Sequence, residues 1–372
     1  DDAKLFVMIT GQNDAPIARN NIENIEEKDT LVQSDVSKGL LNGDTDIDTN
    51  DALTVTEVNQ SANVNAIGKF GQLDWQPDGT FTYTPNQEID TLAQNEMVID
   101  SFLYTIEDLH DSISQAYLTI KISGVNDNPT PTNDTITISE DTLHIVFNKP
   151  QESLLFNDKD KDGDPIKLSS LNNIGSSPFK SKYCTIEWDS TGQFTYVRNE
   201  ELDTIPLGTT VTDSIRYSIV DQYNFESSAY LFINIVGKND IPVAVKDENS
   251  MLETLLTLES DSITNLLAND SDIDSGDSIF VQTVKGSTGY IIFGTYGDLY
   301  WDTDGSYSYK NKFAATDSLR QGEVVFDIFP YTLSDQHLAT TNDSLQIAIT
   351  GVNDAPVAIN DTIYMKEDTT MV

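Results

Sequence analysis

The sequence predicts an all-β chain built as a tandem array of antiparallel β-sandwich domains. Three observations lead there: one turn written four times at nearly constant spacing, short runs in which apolar and polar residues alternate, and turn-forming residues between those runs. The turn comes first. Residues 11–17 read GQNDAPI, 124–129 GVNDNP, 237–243 GKNDIPV and 351–357 GVNDAPV. The glycines that open them, Gly11, Gly124, Gly237 and Gly351, are 113, 113 and 114 residues apart. That period is too long for a solenoid repeat and matches one small domain of about 100 to 150 residues. The expected organisation is three full repeats, 12–124, 125–237 and 238–351, with 1–11 as the last strand of a preceding repeat and 352–372 as the start of a following one. AKLFVMIT (3–10) stands before the first turn as AYLTIKIS (116–123) and DSLQIAIT (343–350) stand before later ones. On this reading the sequence is a piece of a longer array.

Within a repeat, a hairpin is written first. LDWQPDGTFTY (73–83), IEWDSTGQFTY (186–196) and LYWDTDGSYSY (299–309) each join two alternating strands through a turn containing Asp and Gly, where Gly supplies a positive φ. Trp75, Trp188 and Trp301 recur at one place in it. A Trp repeated at a fixed hairpin position suits a shared core better than a carbohydrate platform. Between hairpin and closing strands, EIDTLAQNE (88–96) allows a turn or two of helix. FLYTIED (102–108), IRYSIVD (215–221) and YLTIKIS (117–123) then alternate with period two, as strands with one buried face do. In the third repeat DIFPYTLSD (327–335) carries Pro330, which predicts an edge or bulged strand. Many short strands with turns every ten residues or so predict sandwiches with immunoglobulin-like layering.

Charge narrows the partners. With 21 Lys plus Arg against 61 Asp plus Glu, the chain carries a net charge of −40. That field repels nucleic acid and anionic membranes and attracts divalent cations. Disorder is the other reading of such charge, but 38% hydrophobic content and regular strand patterning argue against it. The one cysteine, Cys184, excludes an internal disulfide framework. No apolar run reaches the ~20 residues of a membrane span, so no direct membrane insertion is expected of this segment.

The charge is concentrated in a second repeated element. After a Leu-Leu pair come NGDTDIDTND (42–51), FNDKDKDGD (156–164) and ANDSDIDSGD (268–277). Each places aspartates at alternate positions: Asp44, Asp46 and Asp48; Asp158, Asp160 and Asp162; Asp270, Asp272 and Asp274. Carboxylates this close repel one another unless a cation sits among them, and alternate spacing in a curled loop lets their oxygens converge. Calcium takes six to eight oxygen ligands in flexible geometry, whereas magnesium demands a tighter octahedron and zinc prefers His and Cys. DKDKDG (158–163) begins like an EF-hand loop, but the twelfth position is Ser169 rather than Glu. A solvated acidic turn is the bland alternative; three copies at matched positions weigh against it.

Further acidic sets fall at matched places. In the opening turn Pro ends the preceding strand, Asp offers a carboxylate and Asn a carbonyl oxygen; the alternative is a plain linker stiffened by Pro. Near each repeat's start stand Glu26, Glu27 and Asp29, then Glu140 and Asp141, then Glu367 and Asp368. The third repeat offers Asp247, Glu248 and Glu253 instead. A Tyr-x-apolar-x-Asp pattern adds Asp108, Asp221 and Asp335, which serve either as ligands or as turn caps.

With these motifs in view, the chain resembles VCBS-type, cadherin-like tandem repeats of very long bacterial surface proteins, including adhesins secreted by type I systems with RTX ends. The resemblance rests on the GVNDAPV junction, the LLANDSDID loop (266–274), the DGSYSY hairpin (304–309) and the SEDT (139–142) and KEDT (366–369) openings, and covers nearly the whole chain. GVNDNP (124–129) is also close to the cadherin linker wording. It implies an extracellular array of Ig-like, cadherin-like sandwiches acting as a stalk, with calcium at or near the junctions. Carried over residue by residue, it points to Asp14, Asp127, Asp240 and Asp354 and to the loop aspartates. The first repeat departs from it by opening ARNNIENIEEKDT (18–30), and the third by opening KDENSMLETLLTL (246–258).

The functional expectation is a calcium-rigidified spacer on a bacterial cell surface, holding a distal adhesive domain for attachment or biofilm formation, its partners being neighbouring repeats of the same chain. The alternative is that the repeats themselves bind carbohydrate or protein; aromatics exposed on one repeat only would favour it. An enzyme is not expected. His110 and His337 share a loop position near Asp108 and Asp335, but the second repeat has Tyr223 and Asn224 there, and no Gly-rich phosphate loop or basic patch is present.

Overall fold

The computed structural model describes residues 4–199, 203–364 and 367. Each repeat contributes eight strands at matched positions. The first has β1 (Asn21–Glu26), β2 (Leu31–Gln33), β3 (Thr54–Val58), β4 (Asn65–Ile67), β5 (Gly71–Trp75), β6 (Phe81–Pro85), β7 (Met97–Glu107) and β8 (Ile113–Ser123). The second has β9 (Asp134–Ser139), β10 (His144–Phe147), β11 (Lys167–Leu171), β12 (Phe179–Lys180), β13 (Cys184–Trp188), β14 (Phe194–Arg198), β15 (Thr210–Val220) and β16 (Glu226–Val236). The third has β17 (Asp247–Leu252), β18 (Thr257–Glu259), β19 (Ile279–Val284), β20 (Ile291–Phe293), β21 (Gly297–Trp301), β22 (Tyr307–Asn311), β23 (Val324–Asp335) and β24 (Thr340–Thr350). Every octet forms two four-stranded sheets in one strand order, β1-β8-β7-β3 and β2-β6-β5-β4 in the first repeat. The chain divides into two compact units, one of Asp1–Ile136, His144–Val197 and Ser214–Phe232, the other of Thr137–Leu143, Arg198–Asp213 and Ile233–Val372. The first repeat lies in the former and the third in the latter. The all-β tandem sandwich is the fold.

Alternation builds the cores. In β7 and β8, Phe102, Tyr104 and Ile106 face inward with Leu118, Ile120 and Ile122 and meet Leu73, Trp75, Phe81 and Tyr83 from the other sheet. The third repeat repeats this with Phe329, Tyr331, Leu345 and Ile347 against Leu299, Trp301, Tyr307 and Tyr309. Trp75 and Trp301 are core residues, 2% and 4% exposed, as the hairpin position implied. The hairpin turns have a second task. Gly79 and Gly305 adopt φ of +84° and +79°, and their carbonyls accept the N–H of Leu40 (2.7 Å) and Leu266 (3.0 Å). Gly192 holds Leu154 in the same way (3.0 Å). Each hairpin thus pins the Leu-Leu pair from which the acidic loop departs.

Three expectations change. β1 pairs with β8 in parallel, and β17 with β24 likewise, so these sheets are not antiparallel throughout. Entry and exit strands run side by side in one direction, so the chain enters each of these repeats at one end and leaves at the other. Residues 88–96 form only a 3₁₀ turn at Gln87–Ile89. β23, carrying Pro330, is neither an edge nor bulged: it lies between β24 and β19. A bulge does occur, but in its partner strand, and at matched places in β3, β11 and β19, so Pro330 does not cause it.

Pro330 is accommodated by a paired change. In the first repeat Asn59 Oδ1 accepts the N–H of Leu103 at 3.0 Å, and in the second Asn172 Oδ1 accepts that of Arg216 at 2.9 Å. The third repeat has Pro330 in place of the donor and Lys285 in place of the acceptor, and keeps only the bond from Lys285 N–H to the Pro330 carbonyl, 2.6 Å. Donor and acceptor are lost together, which leaves no polar group stranded.

Candidate metal centres at the repeat junctions

The junction turn uses each residue of its motif. At Gly124 an added Cβ would meet the carbonyl oxygens of Ala93 and Leu92 at 2.3 and 2.6 Å, and at Gly237 those of Pro206 and Ile205 at 2.3 and 2.4 Å. Only glycine lets the chain leave one repeat this close to its backbone. Pro16, Pro129 and Pro242 are buried. The asparagine side chains donate Nδ2–H to the Tyr-x-apolar-x-Asp carboxylates: Asn13 to Asp108 (2.8 Å), Asn126 to Asp221 (2.7 Å) and Asn239 to Asp335 (2.7 Å). Those aspartates also cap a turn, Asp221 Oδ1 accepting the N–H of Tyr223 and Phe225 at 2.8 and 2.9 Å. His110, Ser112, His337 and Ala339 donate equivalently to Asp108 and Asp335. They therefore cap and orient, and turn the asparagine oxygens of Asn126 and Asn239 into the junction, where neither accepts a hydrogen bond.

The three loop aspartates have three different tasks. The first turns into its own sandwich. Asp44, Asp158 and Asp270 accept the N–H of Arg19 (2.6 Å), Thr132 (2.8 Å) and Val245 (2.7 Å), and the hydroxyls of Tyr104, Tyr217 and Tyr331. The second holds the loop's curl. Asp46, Asp160 and Asp272 accept on Oδ1 the N–H of Asp48 (2.7 Å), Asp162 (3.0 Å) and Asp274 (2.9 Å), leaving Oδ2 buried with no hydrogen bond in every copy. The third reaches the turn. Asp48, Asp162 and Asp274 accept on Oδ2 the N–H of Asp14 (2.8 Å), Asp127 (2.7 Å) and Asp240 (2.8 Å). Oδ1 of Asp162 and Asp274 is again buried without a hydrogen bond.

These oxygens converge in two kinds of cluster. Within the loops, Asp46, Asp48 and Asp51, and likewise Asp160, Asp162 and Asp164, bring ligand atoms within 4.8 Å of one another. Across the junctions, Glu27, Asp90 and Asp127 do the same, as do Glu140, Asp240 and Asp274. Glu27 and Glu140 are 3% and 0% exposed. Each is aimed by backbone donors of its own repeat: Leu92 and Val125 for Glu27, Ile205 and Lys238 for Glu140. Burial, with neighbouring carboxylates adding to it, holds Glu27, Glu140, Asp160, Asp162, Asp164, Asp240 and Asp272 above the usual carboxylate range. A buried carboxylate oxygen with no donor costs free energy. A hard cation removes that cost at all of them together, and the donor set is all oxygen, as calcium requires.

Several expected residues lie elsewhere. Asp14 is exposed and enters only through its N–H. Asp354 and Glu367 are exposed, and Asp368 lies outside the described residues. Asp141 is exposed, its charge acting on Asp240. Asp134 and Asp247, each beside a loop aspartate and a tyrosine, are pushed up to about 7 by burial. Among Asp247, Glu248 and Glu253, it is Glu253, 3% exposed and accepting the N–H of Val352 at 2.6 Å, that corresponds to Glu27 and Glu140. Residues not anticipated are Asp90, Asp51 and Asp164. The last two had a signal: every acidic loop ends in an aspartate, Asp51 and Asp277 three residues after the third loop aspartate and Asp164 two. His110 stands 3.3 Å from Asp51 and His337 3.6 Å from Asp277, while Gln222 donates to Asp164 in the second repeat. His110 with Asp51 and Asp108 also brings ligand atoms within 4.8 Å of one another, a ring nitrogen among them.

A family described as bacterial cadherin-like domain matches the chain three times, over residues 13–124, 126–237 and 239–351. No curated protein matches it. Among solved structures, the chain is similar to protocadherin gammaB7 EC3-6 at 13% identity, covering 94% of this chain and 77% of that one with a TM-score of 0.49. It is similar to Drosophila N-cadherin EC1-4 at 13% identity, with 91% and 74% covered and a TM-score of 0.38. Human CDH23 EC21-23 gives 14% identity, 88% and 97% covered, and a TM-score of 0.42.

Proposed function

The chain belongs to the bacterial cadherin-like domain family, and we propose that it is a calcium-stiffened spacer segment of an extracellular adhesion protein. One observation carries this: buried carboxylate oxygens without hydrogen bonds recur at the same loop positions in all three repeats, among them Asp46, Asp160 and Asp272 Oδ2. Calcium binding only the ordered junction stabilises it by RT ln(1 + [Ca]/Kd). At a Kd of roughly 10⁻⁴ M, common for extracellular modules, 1 mM calcium contributes about 1.4 kcal/mol per site. Ligands come from both sides of each junction: Glu27 and Asp90, or Glu140, from one repeat, the turn and loop aspartates from the next. Ion binding therefore couples one repeat's orientation to its neighbour's. The bacterial surface setting and the projection of a distal binding domain extend this reading. Small-angle scattering under calcium titration tests it. Calcium, and not magnesium, should raise the maximum dimension and reduce flexibility, with EDTA reversing both; an unchanged profile overturns the proposal.

One feature favours adhesive repeats instead. Matched open pockets lie beside the tryptophan hairpin in all three repeats, but only in the second is the hairpin tryptophan, Trp188, partly exposed, beside Phe147, Pro178 and Phe194. Saturable quenching of tryptophan fluorescence by a glycan, lost in Trp188→Ala, would support that role; a glycan panel with no response removes it.

A further inference from the structure

The two junctions are not chemically alike. At the first, the ammonium of Lys28 lies 2.5 Å from Asp127 Oδ1 and that of Lys161 lies 3.8 Å from Asp127 Oδ2, while Lys161 also pairs with Asp90. Both ammonium groups thus stand inside the Glu27–Asp90–Asp127 cluster. The matched positions at the second junction hold Asp141 and Ile273. There Arg198 pairs with Asp203 at 2.5 Å, and among the described residues no ion pair reaches Glu140, Asp240 or Asp274. Asp274 is 3% exposed, and neither its Oδ1 nor Asp240 Oδ2 accepts a hydrogen bond.

We infer that the junctions differ in their demand for metal: Lys28 and Lys161 replace the bridging cation at the first, whereas the second takes that cation from solution. This rests on the calcium reading above. Two ammonium charges among three carboxylates leave about the charge that one divalent ion would leave, so the bridging site is neutralised from within. The first junction keeps its loop cluster of Asp160, Asp162 and Asp164, which no lysine enters. Calcium should then bind there with one ion fewer than at the second junction, and the first should hold its geometry when calcium is withdrawn.

Backbone hydrogen exchange on the whole chain distinguishes the two. Reporters are the amides that donate to the bridging carboxylates: Val125, bonded to Glu27, at the first junction, and Lys238 and Asp240, bonded to Glu140 and Asp274, at the second. In EDTA, exchange should quicken about tenfold at Lys238 and Asp240, the factor equivalent to one site's loss, and change less than about threefold at Val125. Lys28→Asp with Lys161→Ile should make the first junction respond like the second, and should bind one more calcium by titration calorimetry. Equal acceleration at both junctions of the unmodified chain, or a double variant with unchanged stoichiometry and exchange, overturns the inference alone. If neither junction responds to EDTA, the calcium reading fails and takes this inference with it.

Discussion

Asp274→Asn separates the metal account from ordinary packing, because its effect should depend on calcium. Asparagine keeps an oxygen for the Asp240 N–H, 2.8 Å away, and nearly the same volume. It removes one charge from a cluster in which Glu140, Asp240 and Asp274 present oxygens within 4.8 Å of one another. At that separation each repulsion is worth about 0.9 kcal/mol in water and about 3.5 kcal/mol at an effective dielectric constant of 20. Metal-free protein should therefore gain about 1 to 3 kcal/mol, or roughly 4 °C in the melting of that part of the chain per kcal/mol. With millimolar calcium the same change weakens the bridging site, and the loss of about 1.4 kcal/mol of ligand stabilisation should reduce the net gain by that amount. Thermal unfolding in EDTA and in calcium measures both. An equal shift in both buffers would refute the reasoning, since a packing or hydrogen-bond defect is indifferent to metal.

Gly237→Ala should cost more than about 2 kcal/mol with or without calcium, because the new methyl overlaps the Pro206 and Ile205 carbonyls; chemical denaturation reads this directly. The raised carboxyls give a pH dependence. They bind protons more tightly folded than unfolded, so metal-free stability is full below about pH 4. It falls as pH rises through their folded values, the decline reaching about pH 7 at Asp134 and Asp247. Calcium should flatten this slope at the junction residues and release protons on binding, which titration in two buffers of different ionisation enthalpy detects. Pro330→Leu alone creates an N–H with no acceptor, and Lys285→Asn alone an acceptor with no donor. Together they should recreate the Asn59–Leu103 bond, giving a favourable coupling of about 1 kcal/mol in a double-mutant cycle.

The sandwich was legible because its strands alternate and its turns carry Gly, Pro and Asp at matched positions. The two-residue rhythm that placed Phe102, Tyr104 and Ile106 on one face also placed the loop aspartates on one side, with Thr45, Ile47, Lys159 and Lys161 exposed between them. What local patterning could not assign was the task of each aspartate. Asp158 and Asp162 look alike in sequence, but one bonds Tyr217 across the sandwich and the other bonds the turn at Asp127. Those partners are 59 and 35 residues away. Asp90 does repeat, as Asp203 and Asp317 in EIDTL (88–92), ELDTI (201–205) and TDSL (316–319), but nothing in that short motif ties it to the junction turn, and it joins the cluster only through the fold. Pro330 misled because strand propensity is judged along one strand, whereas the compensating change, Lys285, is 45 positions earlier.

The central claim is that the orphaned junction oxygens are calcium ligands, and titration calorimetry of the metal-stripped chain tests it most directly. The account predicts saturable calcium binding at several sites with Kd of roughly 10⁻⁴ to 10⁻³ M, weakened at the second junction by Asp274→Asn and not reproduced by magnesium. Absence of calcium binding, or binding of calcium and magnesium alike that Asp274→Asn leaves unchanged, would contradict it.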